Sequence, residues 1–220
     1  MKIVILAAGK GNRMGELTKD TPKPLLKYKG ETLLEHKLKN LPADTEEVIL
    51  VINYFGEKIR NALGDSYNGI PIKYVEQKEM LGTAHALAQC RDLLTGRFIV
   101  LMADDLYFKK DLERLAEIPN GDWGALTFPD KPGVKAGKIV KNADDLFVEI
   151  YEDFSGTSDY NLIYTGACIL DPEVFKKDMV KIANGEYGLP QTFSQFAKEK
   201  NIHVIETYDW VRITKPEDLA

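Results

Sequence analysis

Positive charge is in short supply: 29 Lys and Arg stand against 34 Asp and Glu, a formal net charge of −5. A protein that grips nucleic acid through its backbone needs a basic surface to displace counterions from phosphates. No nucleic-acid partner is therefore expected, and any phosphate chemistry must rest on local positive charge. Cysteine is scarcer still, two in 220 residues, with Cys90 and Cys168 far apart inside the apolar patterns ALAQC and GACIL. This reads as a reduced, cytoplasmic chain with buried thiols. The three histidines, His36, His85 and His203, fall at no ligand spacing and are read as structural, which leaves a zinc site unsupported. No apolar run reaches membrane length, and the N-terminal IVILAA is too short for a spanning helix or the core of a secretory leader, so no membrane partner is expected.

What is present is a regular alternation. The β-branched runs KIVIL, EVILVIN, IPIKYVEQ and RFIVLMAD are separated by TLLEHKLKNL, GEKIRNALG and GTAHALAQCRDLL, whose apolar residues recur at three- and four-residue steps. Such a rhythm predicts an α/β protein, a mostly parallel sheet with helices on both faces. After Pro119 the pieces become strand-like (DWGALTFP, AGKIVKN, LFVEIYED, LIYTGACILD), helical patterns return at PEVFKKDMVKIA and LPQTFSQFAKEK, then come the strand HVIE and a helix start at PEDLA. With no repeat, linker or low-complexity tract, one domain over 1–220 is expected. Its two halves, 1–118 and 119–220, differ in rhythm, and the second would add mixed strands for a substrate.

The most informative stretch is LAAGKGNRMG, directly after the first strand. In an open α/β sheet, ligands sit outside the carboxyl ends of strands, where backbone N–H groups can face an anion, and Gly9 and Gly11 permit tight turns there. Two common phosphate loops fail on spacing. The dinucleotide pattern G-x-G-x-x-G would need glycine where Met14 stands, and no Gly-Lys-Ser/Thr follows at the P-loop distance. The loop instead carries Arg13, and TKDTPKPLL presents Lys23 between Pro22 and Pro24, whose fixed φ angles stiffen the segment. Taken alone, KP reads equally as a surface turn.

Taken together, LAAGKGNRMGELTKDTPKPLL resembles the signature of the sugar-1-phosphate nucleotidylyltransferases, L-A-A-G-x-G-x-R-M followed by T-x-x-x-P-K-P-L. The likeness continues in weaker form along nearly the whole chain. It implies a Rossmann-like, three-layer nucleotidyltransferase fold with a mixed, mostly parallel sheet. It also implies a reaction in which a sugar 1-phosphate attacks the α-phosphorus of a nucleoside triphosphate and expels pyrophosphate. On that resemblance Leu6, Ala8, Gly9 and Gly11 would cradle the nucleotide, Arg13 would neutralise the leaving pyrophosphate, and Lys23 would bridge the α-phosphate and the attacking phosphate. This chemistry runs on positioning and electrostatics, with no covalent nucleophile required.

Further motifs extend the likeness. FIVLMADD ends with Asp104 where the family has a Mg²⁺ ligand, with Ala103 in place of the usual glycine; a hard carboxylate oxygen suits that ion. Read without the family, one of these aspartates could cap a helix beginning near Lys109. YVEQKEMLGTAHAL supplies Gln77, an amide able to read a pyrimidine edge, and Gly82 and Thr83, which the resemblance also assigns to the nucleotide. Thr83 could equally be a helix cap. UTP or dTTP is favoured over purine triphosphates. On the sugar side the resemblance assigns Gly137 in AGKIV, Glu152 in IYEDF and Thr165 in YTGACIL, while Asp153 stands where a lysine is usual. Tyr164 replaces the asparagine of the N-acetylglucosamine-specific uridylyltransferases, which makes that class less expected.

The C-terminus departs furthest. Members commonly read W-x-D-x-G-T-P-E-D-L, the aspartate being the second metal ligand, whereas this chain reads WVRITKPEDL with Arg212 in that place. Either Asp209 takes over, or Mg²⁺ relies on Asp104 and phosphates, or Arg212 meets a phosphate itself. The same ending resembles isoprenoid-pathway cytidylyltransferases, though their other motifs are not evident. The sequence ends at PEDLA, so no β-helix acyltransferase domain is expected. The leading expectation is thus a Mg²⁺-dependent enzyme using a pyrimidine triphosphate and a sugar 1-phosphate, possible as a homo-oligomer. The alternatives are a cytidylyltransferase for choline phosphate or an alditol phosphate, and a homologue that binds a nucleotide sugar without turnover.

Overall fold

The computed structural model describes residues 1–129, 135–153, 155–157, 162–207 and 209–220, the side chain of Asp153 excepted. Its frame is a ten-stranded sheet. The strand Lys2–Leu6 lies at its centre, pairing in parallel with Glu47–Ile52 on one side and Phe98–Met102 on the other. Ile70–Glu76 extends the first side in parallel. On the second side Leu162–Leu170 runs antiparallel to Phe98–Met102 and carries Ala136–Lys141, which in turn pairs with Phe147–Asp153. Trp123–Pro129 pairs with Leu162–Leu170 and with Ile202–Glu206. The expected mixed, Rossmann-like sheet is therefore found, parallel among its central strands and with its antiparallel pairings concentrated in the second half.

The central strands are apolar on both sides because both faces are covered. Val4, Leu6 and Ala8 enter one core with Trp123 and Phe193, while Ile3, Ile5 and Ala7 enter another with Leu34, Leu38 and Tyr107. This is the two-residue alternation of a strand read against two cores. Helices Leu33–Lys39, Gly56–Leu63, Thr83–Ala88, Lys109–Ala116 and Leu189–Ser194 supply the cover. The first is closed by a capping box: Glu35 N–H donates to the Thr32 hydroxyl at 3.1 Å, and Thr32 N–H donates to the Glu35 carboxylate at 2.8 Å. Donation from the Thr32 N–H and the Thr32 hydroxyl holds the Glu35 carboxyl below its ordinary range. Among the described residues no helix is long and apolar enough to cross a membrane.

Several local expectations are corrected. PEVFKKDMVKIA is not one helix; only Pro172–Lys176 coils, as a 3-10 turn, and Lys177 is already extended. The following backbone is claimed by a hairpin-like return, with Ile182 N–H donating to Glu186 O at 2.8 Å and Gly188 N–H to Val180 O at 3.0 Å. Gly185, at φ 89°, makes the reversal. PEDLA likewise forms only a 3-10 turn, Pro216–Leu219. Thr83 does not cap its helix: Gly82 is the cap residue, and the Thr83 hydroxyl accepts from Leu189 N–H at 2.9 Å. Neither Asp104 nor Asp105 caps the helix Lys109–Ala116, whose cap position is Phe108.

Two predictions follow from the packing. Gly82 sits at φ 105°, and a Cβ there would lie 2.5 Å from the Tyr187 carbonyl oxygen, whereas a Cβ on Gly9 would meet nothing within 4 Å. Gly82→Ala should cost more than about 2 kcal/mol in urea unfolding and Gly9→Ala less than about 0.5; equal costs would contradict the packing. Burial pushes both thiols, Cys90 and Cys168, up to about 12. At pH 8 their thiolate fraction is then about one in ten thousand, so the native protein should resist dithionitrobenzoate while the denatured chain titrates both of its two cysteines.

Candidate active site

The sheet order itself creates the site. From the central strand the chain moves outward to Glu47–Ile52 and Ile70–Glu76, then returns to Phe98–Met102 on the opposite side. The carboxyl end of the central strand is thus a switch point, where loops diverge and leave a crevice. Leu6 pairs there with Met102, and Ala103 N–H donates to Leu6 O at 3.1 Å. That register alone brings the glycine loop beside Asp104.

A cavity of about 440 Å³ occupies the crevice, lined by Leu6, Gly9, Gly11, Arg13, Lys23 and Asp104 among others. Gly11 is required for its shape: at φ 69°, its Cβ position is 3.0 Å from Lys23 Cβ, so the loop rests directly on the lysine stem. Gly9 has no such neighbour and simply leaves the wall open. Ala8 is buried behind the loop, in the same core as Ala84.

Lys23 is only 5% exposed. The flanking prolines and the short turn Lys23–Leu25 aim it inward, where its ammonium donates to Asp104 Oδ2 at 2.6 Å and to Ile213 O at 2.5 Å. Asp104 retains 29% side-chain exposure and thus still faces the cavity. Behind it lies a second buried lysine that the sequence reading passed over. Lys37 donates to the Asp105 carbonyl, and its ammonium lies 5.1 Å from the Tyr107 ring centroid. Burial pulls Lys37 downward and pushes the Asp105 carboxyl upward, the latter reinforced by the Asp104 charge. The signal for Lys37 was its place among Leu33, Leu34 and Leu38, on the apolar stripe of its helix.

A second cavity, about 200 Å³, shares Arg13, Met102 and Asp104 with the first and is also lined by Gly137, Thr165 and Arg212. Arg212 arrives there because Val211–Arg212 pairs antiparallel with Asp105–Leu106, placing Arg212 opposite Asp105. The Thr165 hydroxyl donates to Leu126 O at 2.9 Å, so its contribution to the wall is steric. Glu152, paired across from Gly137, accepts from the Gln191 side-chain amide and does not line the cavity. Tyr164 stacks edge-on against Phe193 at 6.0 Å.

The remaining candidates lie apart. Gln77 is buried, its amide donating to Gly82 O at 3.1 Å and meeting His85 Nδ1 at 3.0 Å. Gln77, Gly82 and Thr83 form a cluster against the 187–189 segment and line neither cavity, although the neighbouring Glu186 lines the first. Asp209 is exposed and outside both linings. Among the described residues no group of three or more His, Cys, Asp or Glu could hold a metal ion. Asp104 is a partly exposed carboxylate at the junction, and its hard oxygen together with substrate oxygens would give a donor set that suits Mg²⁺.

A glycine loop, a proline-held lysine and a strand-end carboxylate, facing one another at the switch point of a mixed sheet, define a class of α/β proteins that handle nucleoside phosphates. The chain belongs to the nucleotidyl transferase family, whose profile matches residues 2–211. It is similar to the UTP–glucose-1-phosphate uridylyltransferase AglF of Haloferax volcanii, 29% identical with 99% of this chain and 93% of that protein covered. It is 30% identical to the bifunctional protein GlmU of Methanococcus aeolicus, covering 100% of this chain but 53% of that one, so it spans about half the length of such relatives. A UDP-glucose pyrophosphorylase solved with UDP-glucose has the same fold, with a TM-score of 0.85 at 20% identity over 99% of this chain and 95% of that chain.

The Lys23 tie also carries a stability consequence. Lys23→Met leaves the Asp104 carboxylate and the Ile213 carbonyl without their shared donor, and should lower unfolding free energy by about 2 kcal/mol. Chemical denaturation reads this directly; an unchanged midpoint would mean the tie is not formed in solution.

Proposed function

We propose that this chain transfers a nucleoside monophosphate from a pyrimidine triphosphate, UTP or dTTP, to a sugar 1-phosphate and releases pyrophosphate. The observation that carries the reading is the meeting of two cavities at Arg13 and Asp104. A triphosphate in the first cavity and a phosphorylated acceptor in the second would then contact each other at that junction. An acceptor phosphate oxygen forms the new bond to the α-phosphorus as the bond to the β-phosphate oxygen breaks, and the electron pair leaves with pyrophosphate. Arg13 neutralises the charge gathering on that leaving group, and the loop N–H groups hold the phosphates in line. Lys23, released in part from Asp104, bridges the two reacting phosphates. A divalent ion held by Asp104 and phosphate oxygens would supply further charge neutralisation. For Gln77 to read the base beside Gly82, its amide would have to leave the Gly82 carbonyl and His85, which hold it in a cluster next to Glu186 of the first cavity. The likeness to AglF, a UTP–glucose-1-phosphate uridylyltransferase, supports UTP and a hexose 1-phosphate as the first pair to try.

One observation favours a second reading, cytidylyl transfer to a phosphorylated alcohol: Arg212 brings a cation to the acceptor wall where the family's metal-binding carboxylate is expected. Pyrophosphate release separates the two. UTP, dTTP, CTP, ATP and GTP are each assayed with Mg²⁺ against glucose 1-phosphate, N-acetylglucosamine 1-phosphate, mannose 1-phosphate and choline phosphate. Turnover with UTP or dTTP and a sugar 1-phosphate is expected; turnover confined to CTP supports the second reading. Silence from folded protein that still binds a nucleotide sugar by calorimetry would replace both with a binding role. In the active pair, Arg13→Ala and Asp104→Asn should each lower kcat by about a hundredfold or more.

A further inference from the structure

One buried side chain beside the second cavity has no part in the reaction just described. Lys138 is fully buried, and its ammonium has no hydrogen-bond partner among the described residues. A lysine ammonium shut away from water without an acceptor is strongly disfavoured, so such a group points to an absent oxygen ligand. The sheet says where it points. Lys138 stands directly opposite Ile163 in the antiparallel pairing, and Ala136 lies two residues before it on the same strand. Side chains so related leave the sheet on one face, and Ala136 and Ile163 both line the second cavity. Trp210 lines it as well, and its indole Nε1, a donor only, is also buried without a partner among the described residues.

One orphaned donor, the Trp210 indole, therefore lines the cavity, and the other, Lys138, lies beside two of its lining residues. Their wall, marked by Ala136, Ile163 and Trp210, belongs to the second cavity and not to the first. It is distinct from the junction at Arg13 and Asp104, where the reacting phosphate must sit. Glu152 cannot supply the missing charge, since it pairs with Gly137, one residue away on the strand, and therefore leaves the sheet on the opposite face, where Gln191 holds it.

Resting on the reading of this cavity as the acceptor's, we propose that Lys138 and the Trp210 indole form an oxyanion-binding end of the acceptor subsite. The acceptor would carry, besides its reacting phosphate, a second anionic oxygen group, a carboxylate or another phosphate. A cationic end such as choline is disfavoured there by like charge.

Isothermal titration of the whole protein with glucose 1-phosphate, glucuronate 1-phosphate, glucose 1,6-bisphosphate and choline phosphate tests this without any need for turnover. Wild type should bind glucuronate 1-phosphate or the bisphosphate about tenfold or more tightly than glucose 1-phosphate, in keeping with a charge-assisted bond in a dry site. The stronger of the two tells carboxylate from phosphate. Choline phosphate should bind most weakly. Lys138→Met should erase the preference for the second oxyanion, leave glucose 1-phosphate affinity unchanged, and not lower the ligand-free Tm, because it removes an unpaired charge; a purely structural lysine would behave in the opposite way. Lys138→Arg should restore part of the preference, and Trp210→Phe, which removes only the N–H donor, should weaken it even if Lys138→Met does not fold. Equal affinities for all four ligands, or a preference that survives both Lys138→Met and Trp210→Phe, would overturn the proposal. An oxyanion preference without turnover for any triphosphate would count against the proposed reaction and not against this subsite, while turnover with no preference would do the reverse.

Discussion

The ammonium of Lys23 is the tie on which the site depends. It joins a proline-braced turn to a strand end 81 residues away and to the C-terminal segment 190 residues away, through Asp104 at 2.6 Å and the Ile213 carbonyl at 2.5 Å. Buried ion pairs add little net stability and are better understood as fixing one arrangement among several. Here the arrangement fixed is the junction of two cavities. The Asp104 carboxylate is pinned by one oxygen yet remains partly open, and the C-terminal segment is held close enough for Arg212 to face Asp105.

The tie works because the sheet has already done the coarse placement. Parallel pairing of Lys2–Leu6 with strands on both sides ends three chains at one level, so the glycine loop and the Ala103–Asp104 step emerge together. A buried second layer then stiffens that edge: Lys37 on the Asp105 carbonyl, and the Tyr107 hydroxyl donating to Thr165 O at 2.8 Å, which links the first half of the sheet to the antiparallel second half. In a chain of net charge −5, four cations lie at or directly behind this place, Lys23, Lys37, Arg13 and Arg212.

Much of this was legible in the sequence, for identifiable reasons. The core strands announced themselves because both faces are buried, giving unbroken apolar runs such as IVIL and FIVLM. The loop was legible because Gly11 needs its positive φ against Lys23, and the Pro-Lys-Pro spacing because a buried cation needs a stiff mount. What failed to show was tertiary in origin. The helical periodicity of 172–183 lost to backbone pairing with 186–188, a partner no periodicity can reveal. Gln77 reads as a free base-recognising amide, but its nitrogen is engaged with Gly82 and His85. Lys138 gave no signal at all, since a lysine in a short strand is ordinarily solvated and only the packing around it shows that this one is not. The role of Asp153 remains an expectation from sequence, because its side chain lies outside the described residues.

The most direct test of the account is a crystal structure with the nucleotide sugar formed by whichever substrate pair turns over. The account predicts one molecule spanning both cavities, its nucleoside against the glycine loop, its diphosphate at Arg13 and Asp104, and its sugar beside Gly137. A product bound at any other place, or one whose diphosphate makes no contact with Arg13 or Asp104, would contradict it.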